Sequence, residues 1–276
     1  MEMRDLVIVR GGGDIATAVI HRLWGAGFPV LVLESAAPSA IRRYIAVSEA
    51  VYQGETVVEG MRAVHIAGIA AAEGVWQAGC VPVLVDPRGE CIPQLRPMAV
   101  VDAILAKRNL GTRRDMAPLT VALGPGFTAG EDVDFVVETM RGHDLGRVIA
   151  SGAAMPNTGV PGVIAGYGAQ RVIHAPGAGV LWGKKRIADT VEQGETIAVI
   201  VSGGVEHPVP ATITGLLRGL IRDGYPVTEG MKIADIDPRV DEYKNCFTIS
   251  DKARCIAGSV LELVCRRARC GGEGEG

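Results

Sequence analysis

The residues best placed to do chemistry lie near the start of the chain. Gly11-Gly12-Gly13-Asp14-Ile15-Ala16 follows directly on the apolar run Leu6-Val7-Ile8-Val9 and matches G-x-G-x-x-A. In that pattern Gly11 permits a tight turn, Gly13 lets backbone approach a pyrophosphate, and Ala16 lets a helix pack closely on a strand. A second apolar run, Val30-Leu31-Val32-Leu33, ends at Glu34, about 20 residues beyond the turn, where an acid would accept hydrogen bonds from a ribose 2′-hydroxyl. Gly11, Gly12, Gly13, Asp14, Ile15 and Glu34 are therefore expected to bind a dinucleotide, and Glu34 favours NAD-like or ADP-containing ligands over NADP. The alternative is a βαβ unit whose glycines serve only close packing.

Further candidates come from strand ends. Val81–Val85 stops at Asp86-Pro87-Arg88, and Leu119–Leu123 stops at Gly124-Pro125-Gly126. In open α/β sheets ligands lie beyond the carboxyl ends of the strands, which makes Asp86, Arg88, Asp102, Gly124 and Gly126 candidates to border the same crevice. Taken singly, Asp86, Arg88 and Asp102 also read as turn-former, surface charge and helix cap. Glu138, Arg141, His143 and Asn157 combine a carboxylate, a fixed cation, a proton carrier and an amide; the same spacing suits a polar β-hairpin. Cys246 precedes Ser250, a suitable helix cap, and a thiolate near a helix N-terminus could accept or hand on sulfur or selenium. An inert core cysteine is the alternative.

The elements that must position these groups are read from periodicity. Ile15, Val19 and Leu23 recur every four residues and predict a helix closed by Gly25 and Gly27. Ile69–Ala78 predicts a second helix. With 276 residues, two cores are expected.

Composition narrows the function. A net charge of −3 without a large basic cluster argues against a nucleic-acid partner. The absence of a long apolar run argues against a membrane segment, and no signal peptide is apparent, so a cytoplasmic protein is expected. The six cysteines show no C-x2-C spacing, which argues against a structural zinc site, and no disulfide framework is expected in a reducing compartment.

In the second half, an offset of 36 residues aligns Ala175–Ala198 with Ala211–Ala234, with nine identities in 24 positions. Each copy carries glycine turns, an apolar pair and Val-x-x-Gly, a pattern of short strands. It resembles the biotinyl and lipoyl carrier fold, a flattened barrel of two similar halves. The connection Ser202–Pro210 lacks the lysine that would carry the cofactor, so a barrel without a swinging arm is expected. The fold class expected is thus α/β: a Rossmann-like parallel sheet domain with a β-hairpin extension (1–168) plus a β-rich barrel-sandwich domain of the biotinyl/lipoyl type (169–240). A C-terminal segment with a helix (241–265) and a disordered tail (266–276) complete it.

Several stretches together resemble the YqeB-like family of accessory proteins for selenium-dependent molybdenum hydroxylases. They are Arg10–Ala16, Leu123–Gly130, Glu138–Ile149, Pro156–Gly162, Asp235–Arg239 and Ser250–Arg254. The resemblance implies a maturation factor for a client molybdenum hydroxylase, and a likeness to insertion chaperones of xanthine dehydrogenase implies molybdopterin dinucleotide as an alternative to NAD. Within these motifs Cys246, His143, Glu138, Arg141 and Asn157 are the expected catalytic residues. Two other functions are consistent with the residues: an NAD-dependent oxidoreductase using Asp102, Lys107 or His143 for proton transfer, and a non-catalytic ligand-sensing adaptor.

Overall fold

The computed structural model describes residues 5–159 and 162–272; Val160 and Pro161 of the Pro156–Gly162 motif lie outside them. Two compact units interleave along the chain. Unit 1 takes the residues up to Pro38, Ala46–Asn157 and the segment from Ile249, while unit 2 takes Ser39–Ile45 and Thr158–Thr248. The division therefore falls after Asn157, ahead of the expected boundary at 168, and the C-terminal helix returns to unit 1. Among the described residues no helix is long and apolar enough to cross a membrane.

Unit 1 is built on one nine-stranded sheet. Its strands are β1 (Val7–Arg10), β2 (Val30–Glu34), β3 (Glu55–Val58), β4 (Met61–Ile66), β5 (Val81–Val85), β6 (Ala99–Asp102), β7 (Thr120–Leu123), β9 (Phe135–Val137) and β10 (Val148–Ile149). A separate two-stranded ribbon pairs β8 (Thr128–Ala129) with β11 (Gly152–Ala153). The order across the large sheet is β10-β9-β7-β6-β1-β2-β5-β4-β3. Neighbours from β9 to β4 run parallel, and each edge is closed by an antiparallel strand, β10 on β9 and β3 on β4. Central strands such as Val7–Val9 and Val30–Leu33 are fully buried, which is why they read as continuous apolar runs rather than alternating ones.

The fold-class expectation is corrected here. The sheet is mixed, not parallel, and it lacks the regular alternation of strands and full-length helices of a doubly wound fold. Only α1 (Asp14–Gly25) is a long crossover helix; α2 (Ala50–Gln53), α3 (Ala72–Gln77) and α4 (Ile92–Leu95) are one or two turns. The segments that replace the missing helices carry Pro38, Pro87 and Pro118, and Gly111, Leu105 and Lys107 at positive φ, none of which continues a helix. Asp102, one of whose readings was a helix cap, is followed by irregular chain.

Helix α5 (Asp251–Gly272) packs on α1. Ala253, Ile256, Ala257, Val260, Leu263 and Val264 form its buried stripe, spaced at three and four residues as one helix face requires. Each of the larger side chains contributes about 1.5–3 kcal/mol by leaving water. The hydroxyl of Ser250 caps the helix by accepting from the Ala253 amide at 3.2 Å. The helix runs to Gly272, so residues 266–272, expected in a disordered tail, are helical; residues 273–276 lie outside the described residues.

Among the described residues unit 2 holds two separate four-stranded sheets and no continuous barrel, a second correction to the expected class. Its strands are β12 (Val172–His174), β13 (Gly179–Gly183), β14 (Thr190–Val191), β15 (Thr196–Ser202), β16 (Val205–Pro210), β17 (Gly215–Leu220), β18 (Tyr225–Val227) and β19 (Lys232–Asp237). One sheet has the order β12-β19-β17-β14 and the other β16-β15-β13-β18. The 36-residue offset carries each strand of one sheet onto a strand of the other. Leu181, Ile200, Leu217 and Ile236 meet in the core between them.

Candidate functional site in unit 1

The carboxyl ends of β1, β2, β5, β6 and β7 bring most of the expected binding residues to one edge of the sheet. At its centre Arg10, the last residue of β1, pairs in register with Asp102, the last residue of β6. Both side chains are buried, at 1% and 2% exposure. The guanidinium donates to the hydroxyl of Thr112, to the carbonyl of Pro87 at 2.9 Å and to that of Leu110 at 3.4 Å. Thr112 in turn donates to Asp102 Oδ2 at 2.5 Å, and the Ile104 amide donates to Oδ1 at 3.2 Å. Burial raises the Asp102 carboxyl above its ordinary value; the Thr112 and Ile104 hydrogen bonds and the Arg10 charge oppose that shift without cancelling it.

The glycine turn is largely closed by the chain itself. A Cβ on Gly11, whose φ is +98°, would lie 2.9 Å from the Ala103 carbonyl oxygen, and one on Gly12 would lie 2.9 Å from the Ser48 amide nitrogen. The Gly12 carbonyl accepts from that same amide at 2.9 Å. The Gly12 amide donates to Glu34 Oε2 at 2.7 Å, while Glu34 Oε1 accepts from Ser35. Thr17 adds a second tie, donating to the Gly13 carbonyl at 2.8 Å and accepting from the Val47 amide at 3.0 Å. The close approach that Gly11 and Gly12 permit is thus to residues 47–48 and 103–104, and Glu34 binds the turn. Gly13 differs: with φ −72° and ψ −173° at the start of α1 it needs no glycine for its conformation, a Cβ there meets nothing within 4 Å, and no side chain caps the first turn. Asp14 and Ile15 follow, half-buried.

The other candidates resolve singly. Asp86 accepts from the Glu90 and Cys91 amides, both at 2.9 Å. Burial would raise its carboxyl, but these hydrogen bonds hold it below the usual range. Arg88 is exposed beside Glu90. A Cβ on Gly124 would strike Thr139 Oγ1 at 2.6 Å, and one on Gly126 the Arg108 amide at 2.6 Å, so these glycines also serve self-packing. Glu138 is buried and accepts three backbone amides, from Thr139, Met140 and Met155, at 2.7–2.8 Å; it ties the start of the loop after β9 to the segment that follows β11. Arg141 pairs with Asp251 through two 3.0 Å contacts. His143, Asn157 and Lys107 are exposed. Cys246 lies in the core of unit 2, where burial raises its thiol. Among the described residues no group of three or more His, Cys, Asp or Glu side chains is arranged to hold a metal.

Arg10 and Thr112 were missed by sequence reasoning. Arg10 did leave a signal, a lone charge ending a buried apolar run, matched by Asp102 ending another. Thr112 left none.

The chain is an α/β protein with a mixed nine-stranded sheet at the heart of its first unit. It is homologous to the uncharacterized protein YqeB of Escherichia coli K12, with 51% identity over 260 residues, which is 94% of this chain and 47% of that protein. The chain thus spans about half the length of the curated relative it matches. No family model matches. Among solved structures, it aligns with an aspartoacylase family protein from Mesorhizobium loti (12% identity, 84% of each chain, TM-score 0.29). It also aligns with a succinylglutamate desuccinylase from Silicibacter sp. TM1040 (11%, 84% of each, TM-score 0.28), and with the ectoine utilization protein EutE of Ruegeria pomeroyi (11%, 83% of this chain and 85% of that one, TM-score 0.26). Overlaps of this size assign no activity.

These findings correct the functional expectations. The relative is itself uncharacterized, so the resemblance supplies homology and no maturation role; the reading of a maturation factor for a selenium-dependent molybdenum hydroxylase, with such a hydroxylase as client, is withdrawn. The dinucleotide expectation, NAD or molybdopterin dinucleotide, fails on the packing of Gly11 and Gly12. With it go the NAD-dependent oxidoreductase and the adaptor built on sensing such a ligand.

Proposed function

We propose that unit 1 binds a small anion, of the size of phosphate or a short carboxylate, at the N-terminus of α1 beside Gly13. The observation that carries this reading is the contrast among the three glycines. Gly11 and Gly12 face their own chain, whereas Gly13 has ordinary backbone angles and open space where a side chain would stand. The first turn of α1 has no side-chain cap, and a helix N-terminus carries about half a positive charge with amides directed outward. The size limit follows from Gly11 and Gly12, whose open sides are filled by residues 103–104 and 47–48. Asp14, Ile15 and the Asp86 loop lie along the same sheet edge and are the candidates to shape the site.

The test is thermal unfolding of the full chain with phosphate, sulfate, acetate and succinate, repeated on Gly13→Val. An anion at 100 times its dissociation constant adds about 2.7 kcal/mol, a shift of several degrees. Such a shift in the parent chain, lost in the variant, is the expected result. No shift with any of the four anions, or an equal shift in Gly13→Val, would overturn the proposal.

A further inference from the structure

The strand order of unit 1 reverses at one place. From β1 the chain builds β2 to β5 on one side, crosses to the other side of β1 as β6, and continues outward to β7 and β9. Both neighbours of β1 run parallel to it. In open α/β sheets a ligand crevice opens at such a reversal, between the loops that follow the two central strands. Here those loops are Gly11–Gly13 after β1 and Ala103–Thr112 after β6.

The loop after β6 is pinned at both ends. The Ala103 amide donates to the Arg10 carbonyl at 2.9 Å, and Asp102 accepts from the Ile104 amide and the Thr112 hydroxyl. The Arg10 guanidinium donates to Thr112 and to the Leu110 carbonyl. The buried Arg10–Asp102 pair thus ties the start of the loop to its end, which makes it a closed loop of a kind that frequently carries function. Between the ends, Leu105 and Lys107 have φ of 59° and 61°. Side chains rarely adopt that region, and such residues gather at ligand sites. Glycines hold the loop from two directions. Gly11 packs on Ala103 and Ile104, and a Cβ on Gly126, after β7, would lie 2.6 Å from the Arg108 amide nitrogen.

What the loop presents is positive charge. Lys107 and Arg108 are exposed, and among the described residues neither forms an ion pair or a side-chain hydrogen bond. Arg113 and Arg114, just beyond the loop, do pair, with Asp115 and Asp134. Glu34, Asp86 and Asp102, the carboxylates that end or follow three of the strands, already accept from amides of the chain. Gly11 touches Ile104; Gly13 is two residues from the one and Lys107 three from the other. The two backbones therefore lie at most about 20 Å apart, a span that an extended lysine and a short diacid cover.

We infer that Lys107 and Arg108 bind one acid group of a small two-headed anion whose other acid group is held at the N-terminus of α1. This rests on the reading of Gly13 given above and names its ligand class: a molecule with two acid groups, as in a dicarboxylate or a carboxylated phosphate ester. A second set of charge-assisted hydrogen bonds should tighten binding by about tenfold or more over a one-headed anion.

Isothermal titration calorimetry of the full chain at constant ionic strength, comparing phosphate with 3-phosphoglycerate and acetate with succinate, tests this. In the parent chain one two-headed compound should bind at least tenfold more tightly than its one-headed counterpart. Lys107→Gln combined with Arg108→Gln, both exposed positions, should erase that advantage while leaving the one-headed affinity unchanged; Gly13→Val should weaken both. Equal affinities within each pair in the parent chain overturn the inference, and so does an advantage that persists in the double variant. If the double variant erases the advantage but Gly13→Val changes nothing, the reading at Gly13 falls, and the two-ended arrangement with it. Binding by none of the four compounds overturns both.

Discussion

The hydroxyl of Thr112 donates to Asp102 at 2.5 Å while accepting from Arg10, so one side chain links a buried cation to a buried anion 3.8 Å away. Replacing Thr112 with valine keeps the shape and removes both hydrogen bonds. Leaving buried polar groups unsatisfied costs about 1–3 kcal/mol, more when they are charged, so urea unfolding should show Thr112→Val destabilised by at least that much. Thr112→Ser, which keeps the hydroxyl, should lose about 1 kcal/mol or less.

Asp102 also sets a pH dependence. Its carboxyl is raised by burial, so the folded protein holds its proton more tightly than the unfolded chain. The stabilisation from that proton is complete below the unfolded value of 3.8 and is lost as pH rises through the raised folded value. The stability of wild type relative to Asp102→Asn should therefore be greatest in acid and shrink as pH rises, in unfolding curves taken from about pH 4 to pH 8. Asp86 and Glu59 act in the opposite sense. Burial opposes ionisation of both, yet backbone hydrogen bonds, and Arg254 for Glu59, hold them below their usual values. Their contribution is present above the unfolded values and disappears as pH falls through the folded ones.

The glycines of the first turn should separate in stability as they do in packing. Gly12→Ala places a methyl against the backbone of Ser48 and should cost about 1–3 kcal/mol. Gly13→Ala meets nothing and should stay within about 1 kcal/mol, the cost of a poorer residue at a helix start. Thermal melts of the two variants without added ligand check this.

The cysteines should label in a fixed order. Cys255 and Cys270 are exposed, while Cys80 and Cys246 are buried. Burial, assisted by Asp86, pushes the Cys91 thiol up to about 12, so at pH 9 only about one molecule in a thousand carries the thiolate. Mass spectrometry after brief iodoacetamide treatment should find Cys255 and Cys270 modified well before Cys91 and Cys246. Early modification of Cys246 would return it to the list of reactive groups.

Much of the scaffold of unit 1 was legible because its central strands are apolar runs and α1 repeats its apolar residues every four positions. The hairpin of β3 and β4 was not read. Its two-residue turn is Glu59-Gly60, with φ of 46° and 84°, and a glutamate is an uncommon residue at such an angle. The site was less legible than the scaffold. G-x-G-x-x-A specifies close approach without specifying what approaches, and here Ser48 and Ala103 occupy the space. Likewise Arg10 and Asp102 lie far apart in sequence, and their pairing follows only from knowing that β1 and β6 are neighbours. The mixed character of the sheet escaped because its antiparallel edges are two- to four-residue strands, too short to show a period.

The interleaving of the units bears on how the chain is made. α1, with Val19, Ile20 and Leu23, leaves the ribosome more than two hundred residues ahead of its neighbour α5. Until α5 is synthesised, α1 has the sheet on one side but lacks its helical neighbour, and the face that α5 covers is apolar surface that a chaperone can hold. Unit 2 is finished at Thr248, just before that helix is translated. Vectorial synthesis thus completes the inserted unit first and the unit that carries the candidate site last.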